Sequence, residues 1–165
     1  MLDKFLSADF SLFDSFCELT DKKIEFNHEG NMFYSFGHVG DFKIKASNAN
    51  LIDVETFNKS FLHLIQYKLE FLSESPIIYL HYSAKNDPRE FYVKRSNDLL
   101  KIALSLESQF EFFHVLKLED SDYLFMETDY FPYHYHKSTT DLLAVNLRKI
   151  LRENNLKTSR YLYKI

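Results

Sequence analysis

One cysteine, three glycines, three prolines and no tryptophan are scarce punctuation for 165 residues. A lone thiol excludes an internal disulfide and any cysteine-rich zinc site. Cys17, set in Phe13-Asp-Ser-Phe16-Cys17-Glu-Leu19, reads first as a small buried hydrophobe, with a catalytic thiol as the minor reading. So few glycines and prolines leave no glycine-rich phosphate loop and argue against a many-turned sandwich. There is no run of eighteen uninterrupted apolar residues, and no apolar N-terminal stretch of signal-peptide length; the expectation is a cytoplasmic chain with no membrane span. The net charge of −4 comes without a basic block, which makes nucleic acid a poor partner.

What the chain does have is apolar mass. Hydrophobic residues make up 45% and aromatic residues 17%, enough for residues 1–165 to form a single domain around one layered core. From about Ser7 to Leu19, Phe10, Phe13, Phe16 and Cys17 recur at helical spacing, with Ser7 or Asp9 to cap, and predict a helix. Short alternating runs at 23–27, 32–36 and 41–46 predict strands, with a turn at 28–31 and a loop at 37–40 that holds two of the three glycines. Phe57, Phe61, Leu64, Ile65, Leu69 and Leu72 form the buried stripe of a helix over about 54–72. Ile77 to Tyr82 then lacks polar alternation, as a central parallel strand covered on both faces does. A second long helix over about 88–106 turns Tyr92, Leu99, Ile102, Ala103 and Leu106 inward, with Pro88 in its first turn. A strand at 110–116, an acidic turn at 119–122, a last helix capped by Ser138 or Thr139, and an edge strand around Tyr161 to Tyr163 complete the reading. Helix and strand alternating from residue 54 onward predict an α/β layered domain, its largely parallel central sheet flanked by helices.

Candidate chemistry concentrates in Asp129-Tyr-Phe-Pro132-Tyr133-His134-Tyr-His136, directly before the last helix. Imidazole titrates near neutrality, and a helix start offers free N–H groups and partial positive charge. His134 and His136 lie two apart, so an extended loop points them to opposite sides and a shared metal is disfavoured; the other histidines show no zinc spacing either. A general-base role for one of the pair, oriented by Asp129, stands beside the plainer reading of a packed loop with surface imidazoles. His81 closes the apolar strand, facing either a cleft at the sheet's edge or a neighbour in the core. Arg89 and Arg95 offer forked donors to an anion or a carbohydrate, against the reading of a solvated helix face with local ion pairs.

The segment from about Asn48 to Leu151 resembles the C-terminal part of an SGNH/GDSL-type hydrolase. Ser47-Asn48-Ala-Asn50 before a long helix resembles the family's asparagine block, Pro76 to Tyr82 takes the place of its buried strand, and His136-Lys-Ser138-Thr-Thr-Asp141 resembles its closing histidine pattern. The family's aspartate position, three residues before His136, is Tyr133, and Asp141 stands where the family has glycine. The opening strand followed by Gly-Asp-Ser is not found: Gly40-Asp41-Phe42 has phenylalanine in place of serine.

The resemblance implies a carboxylic-ester hydrolase or acyltransferase, in degenerate or truncated form, linked to polysaccharide modification. His136 or His134 would be the base, Asp129 its orienter, Asn48 or Asn50 an oxyanion donor, and His81 and Arg89 substrate contacts, with no metal and no cofactor. A carbohydrate or acyl ester would be the ligand. The alternative is a non-catalytic binding protein, such as a small immunity or accessory protein with a protein partner or a homo-oligomeric state, which suits the acidic balance and the unfound nucleophile.

Overall fold

The computed structural model describes residues 9–15, 22–26, 30–34, 50–71, 75–126 and 134–154. In chain order the elements are β1 (Ser11–Asp14), β2 (Lys22–Phe26), β3 (Gly30–Tyr34), β4 (Asn50–Leu51), α1 (Val54–Phe71), β5 (Ile77–Leu80), α2 (Glu90–Gln109), β6 (Phe113–Leu116), a 3-10 turn (Asp120–Asp122) and α3 (Lys137–Glu153).

The main sheet has the order β1-β5-β6 and is parallel throughout. Ile77 pairs with Ser11 on one side and Phe113 on the other; Leu80 pairs with Asp14 and Leu116. β5 is therefore the central strand that its unbroken apolar run requires. Its side chains divide between two cores. Ile77 and Tyr79 pack with Phe57, Phe61 and Ile65 of α1 and Leu99, Ala103 and Leu106 of α2. Ile78 faces the other way and packs with Leu116, Leu118, Leu143 and Leu151 under α3. Helices cover both faces of the sheet, as predicted. Among the described residues no helix is long and apolar enough to cross a membrane.

β1 corrects the predicted first helix. The three-residue spacing of Phe10, Phe13 and Phe16 imitates a helical stripe, yet a parallel partner was available in β5 and extended backbone wins. The Ser11 N–H donates to the Pro76 carbonyl at 2.9 Å and the Ser15 N–H to the Leu80 carbonyl at 3.0 Å. Along β1 burial alternates at period two: Leu12 is 46% exposed, while Phe13 meets Phe61 edge-on with centroids 6.0 Å apart. The remainder of that expected helix, with Cys17, lies outside the described residues, as do the expected strands at 41–46 and 161–163 and the glycine loop at 37–40.

The strands expected at 23–27 and 32–36 are β2 and β3, an antiparallel pair with Ile24 opposite Met32. β4 pairs on the other side of β2, so a second, antiparallel sheet of order β3-β2-β4 stands in the chain between β1 and α1.

The face of α1 also differs from expectation at its C-terminal end. Leu69 is 60% exposed, whereas Lys68 is buried with its ammonium 5.0 Å from the Phe112 ring centroid. The positions 57, 61, 65 and 68 make the inward stripe, because at 3.6 residues per turn position 68 falls within about 20° of 57 and position 69 about 120° away. Asp53 caps this helix, its carboxylate accepting the Thr56 N–H at 2.8 Å and the Thr56 hydroxyl.

Candidate functional site

All three strands of the main sheet point their carboxyl ends to one edge, and most of the buried polar side chains among the described residues gather there. Ser15 follows β1; His81 and Ser83 follow β5; Asp87, Arg95 and Ser96 belong to the following loop and the start of α2. In open α/β sheets this is the edge where ligands bind, because the loops leaving parallel strands enclose a crevice there.

His81 is 4% exposed and continues the β5–β6 pairing by donating its N–H to the Leu116 carbonyl at 2.9 Å. Its ring meets α2: Nε2 lies 3.5 Å from Ser96 Oγ. The Ser96 hydroxyl donates to the Tyr82 carbonyl at 2.8 Å, and its oxygen also accepts the Ala84 N–H at 3.3 Å. A hydroxyl has one proton to give. With that hydrogen directed at the Tyr82 carbonyl, Ser96 can meet the ring only as an acceptor, an arrangement that favours the Nε2–H tautomer and leaves Nδ1 as an acceptor. Nδ1 is buried and has no hydrogen-bond partner among the described residues. A buried acceptor left without a donor costs about 1–3 kcal/mol. Burial foremost, and then the positive charge of Lys117, push the His81 pKa down to about 4, against an opposing pull from Asp120. The ring is neutral at physiological pH.

A cavity of about 400 Å³ opens beside this ring, between the first half of α2 and the loops that leave β5 and β6. His81, Ser83, Asn97, Lys117, Glu119 and Tyr123 are among the residues that line it. Lys85 Nζ donates to the Asp120 carbonyl, tying the two loops together. Tyr123 braces the floor: its hydroxyl accepts the Leu118 N–H at 3.1 Å and donates to the His81 carbonyl at 3.4 Å. Burial raises the phenol's pKa, so it remains a donor.

Tyr135, whose ring lies 5.5 Å from that of Tyr123, braces the loop after β5 as well. Its hydroxyl accepts the Ser83 N–H at 2.9 Å, and its ring stacks on Tyr82 at 5.0 Å and 20°. The segment before α3 is thus anchored to the sheet edge through a tyrosine.

The two histidines that flank Tyr135 are exposed. His134 holds its place through the backbone, its carbonyl accepting the Met126 N–H at 3.0 Å. His136 is the N-cap of α3, in place of the expected Ser138 or Thr139: its Nδ1 accepts the Ser138 N–H at 3.3 Å and lies 2.8 Å from Ser138 Oγ. Thr139 is buried instead and donates to the Asp122 carbonyl at 2.7 Å. Asp129, the expected orienter, and Asn48, an expected oxyanion donor, lie outside the described residues. Asn50 opens β4 and pairs with Lys23. Arg89 is the N-cap residue of α2, with Nε and Nη2 on the buried Asp87 carboxylate at 2.8 and 2.7 Å and the guanidinium 4.1 Å from the Tyr92 centroid. Of the expected site residues, the structure brings His81 to the cavity and engages Arg89 in an ion pair beside it.

Ser15 is what the sequence reading missed. Asp14 ends β1 and Ser15 follows it directly, a strand-then-Asp-Ser order, with Phe13 where the resembled family has glycine. Treating 11–14 as a strand is the signal that would have revealed it. Ser15 is 1% exposed, and its Oγ accepts the Tyr82 N–H at 2.6 Å, extending the β1–β5 ladder by one side-chain bond.

No protein-family model, curated protein or solved structure matches the chain.

Proposed function

We propose that this chain is a non-catalytic binding domain on an SGNH-hydrolase-like layout, which holds a small polar ligand at the carboxyl edge of its parallel sheet. The observation that carries the reading is the state of Ser15. A serine needs a base within hydrogen-bond reach and an exposed oxygen to act as a nucleophile. Here the oxygen is buried and engaged by the Tyr82 N–H. The two histidines expected as bases are exposed on the loop before α3, one of them capping that helix through Nδ1. The cavity beside His81 is within the volume range of small-ligand sites and has both polar and apolar lining. Binding without turnover fits this combination better than an esterase or an acyltransferase does.

The test is steady-state hydrolysis of aryl acetates by the purified chain, with covalent labelling by a serine-directed phosphonate. Hydrolysis indistinguishable from a protein blank, with Ser15 unlabelled, is expected. Turnover that disappears in Ser15→Ala and in the labelled protein would overturn the reading in favour of a working esterase.

A further inference from the structure

We propose that Glu107 guards the outer edge of β6: its carboxylate holds an outward N–H of the strand and keeps a second copy of this chain from adding a strand there. The inference stands apart from the binding site at the carboxyl edge and concerns what stops the sheet from growing.

Among the described residues β6 is the last strand of its sheet. The N–H groups of Ile77 and His81 donate to the carbonyls of Phe112 and Leu116. The even-numbered residues of β6 therefore face β5, and the N–H groups of Phe113 and Val115 point away from it. An outer edge of this kind offers its donors to any extended chain that meets it. Here both are engaged. The Phe113 N–H donates to the Phe110 carbonyl at 2.9 Å, closing the turn that leads from α2 into the strand. The Val115 N–H donates to Glu107 Oε1 at 2.7 Å, reaching back to the last turn of α2. A twofold-related β6 would lie antiparallel, and each hydrogen-bonded pair of such a ladder takes an N–H from both strands. With neither donor open, the ladder cannot start. The need for a guard is in the sequence. Phe112-Phe113-His114-Val115-Leu116 is rich in strand-forming residues and holds no Asp, Glu, Lys, Arg, Pro or Gly. Edge strands are commonly blunted by a charged residue of their own; β6 has none, and the charge comes from the preceding helix.

The experiment measures mean mass by sedimentation equilibrium across a dilution series, with amide hydrogen exchange, for the full chain and for Glu107→Gln and Glu107→Ala. In the unsubstituted chain the Val115 amide should exchange slowly at every concentration, like an amide inside the ladder. Glu107→Gln, whose amide oxygen accepts the same bond without the charge, should match it in both readings. Glu107→Ala should expose the Val115 amide when dilute. As concentration rises its mean mass should grow about twofold over the unsubstituted chain, as in a twofold pair, and the Val115 amide should become protected again. Glu107→Ser, too short to reach Val115, replaces Glu107→Ala where that variant does not fold. Fast exchange of Val115 in the unsubstituted chain overturns the contact itself. Association of Glu107→Gln to the same degree as Glu107→Ala overturns the hydrogen bond as the guard. A folded Glu107→Ala that exposes Val115 yet matches the unsubstituted chain in mass at every concentration overturns the proposal. So does association of Glu107→Ala that leaves the Val115 amide open, since the copies then meet through another face.

Discussion

His81 and Ser96, fifteen residues apart, meet across the β5–α2 layer with Nε2 3.5 Å from the hydroxyl oxygen. Because that hydroxyl already donates to the Tyr82 carbonyl, the contact favours the Nε2–H tautomer and leaves the second nitrogen a buried acceptor.

This burial makes stability depend on pH. The unfolded chain protonates His81 near its ordinary pKa of 6.5, whereas the folded chain resists protonation down to about 4. The contribution is therefore complete above pH 6.5, declines as pH falls from 6.5 to 4, and is gone below. Its full size is on the order of 3 kcal/mol. Denaturation midpoints measured across this window should fall with acidity in the wild type, and His81→Gln should remove most of that slope. An equal slope in both proteins would mean that the ring is solvated.

The stripe of α1 gives a paired test of packing. Phe61 meets Tyr79 edge-on at 5.5 Å and Phe113 at 6.0 Å, so Phe61→Ala should cost on the order of 3–5 kcal/mol through lost burial and the cavity left behind. Leu69, on the solvent side, should tolerate Ala within about 0.5 kcal/mol. Chemical denaturation of the two variants reads both; a large loss in Leu69→Ala would restore the face predicted from sequence.

Tyr135 should matter through its hydroxyl. Tyr135→Phe keeps the ring on Tyr82 but leaves the Ser83 N–H without its acceptor. A loss of roughly 1–3 kcal/mol is expected, together with faster hydrogen exchange at the Ser83 amide. Unchanged protection of that amide would show that the tyrosine stacks without holding the loop.

The layers were legible where one pattern dominated. Ile77 to Leu80 has no polar interruption, and 54–71 and 90–109 have long helical stripes, so β5, α1 and α2 were readable with their order and, apart from the Lys68–Leu69 turn of α1, their inward faces. β1 was not, because four residues are too few to display alternation against phenylalanines spaced by three. The candidate site depended on tertiary contacts. His81 stood out as the end of a buried strand, but nothing in local spacing points to Ser96 as its partner or shows where the serine's proton goes. Conversely, His136 drew attention as a base, and its position before a helix also suits the capping role it has here. Ser15 was hidden by the same misreading that hid β1.

The most direct measurement is an amide chemical-shift map of the ¹⁵N-labelled full chain, titrated with methyl α-glucoside, N-acetylglucosamine, glucuronate, inorganic phosphate and ethyl acetate. Shifts centred on His81, Ser83, Lys85, Asn97, Lys117 and Asp120, the lining of the cavity at the sheet's carboxyl edge, are the expected result. Shifts confined to residues 134–141, with the cavity amides unmoved by every member of the panel, would contradict the placement of the binding site and return it to the histidine loop.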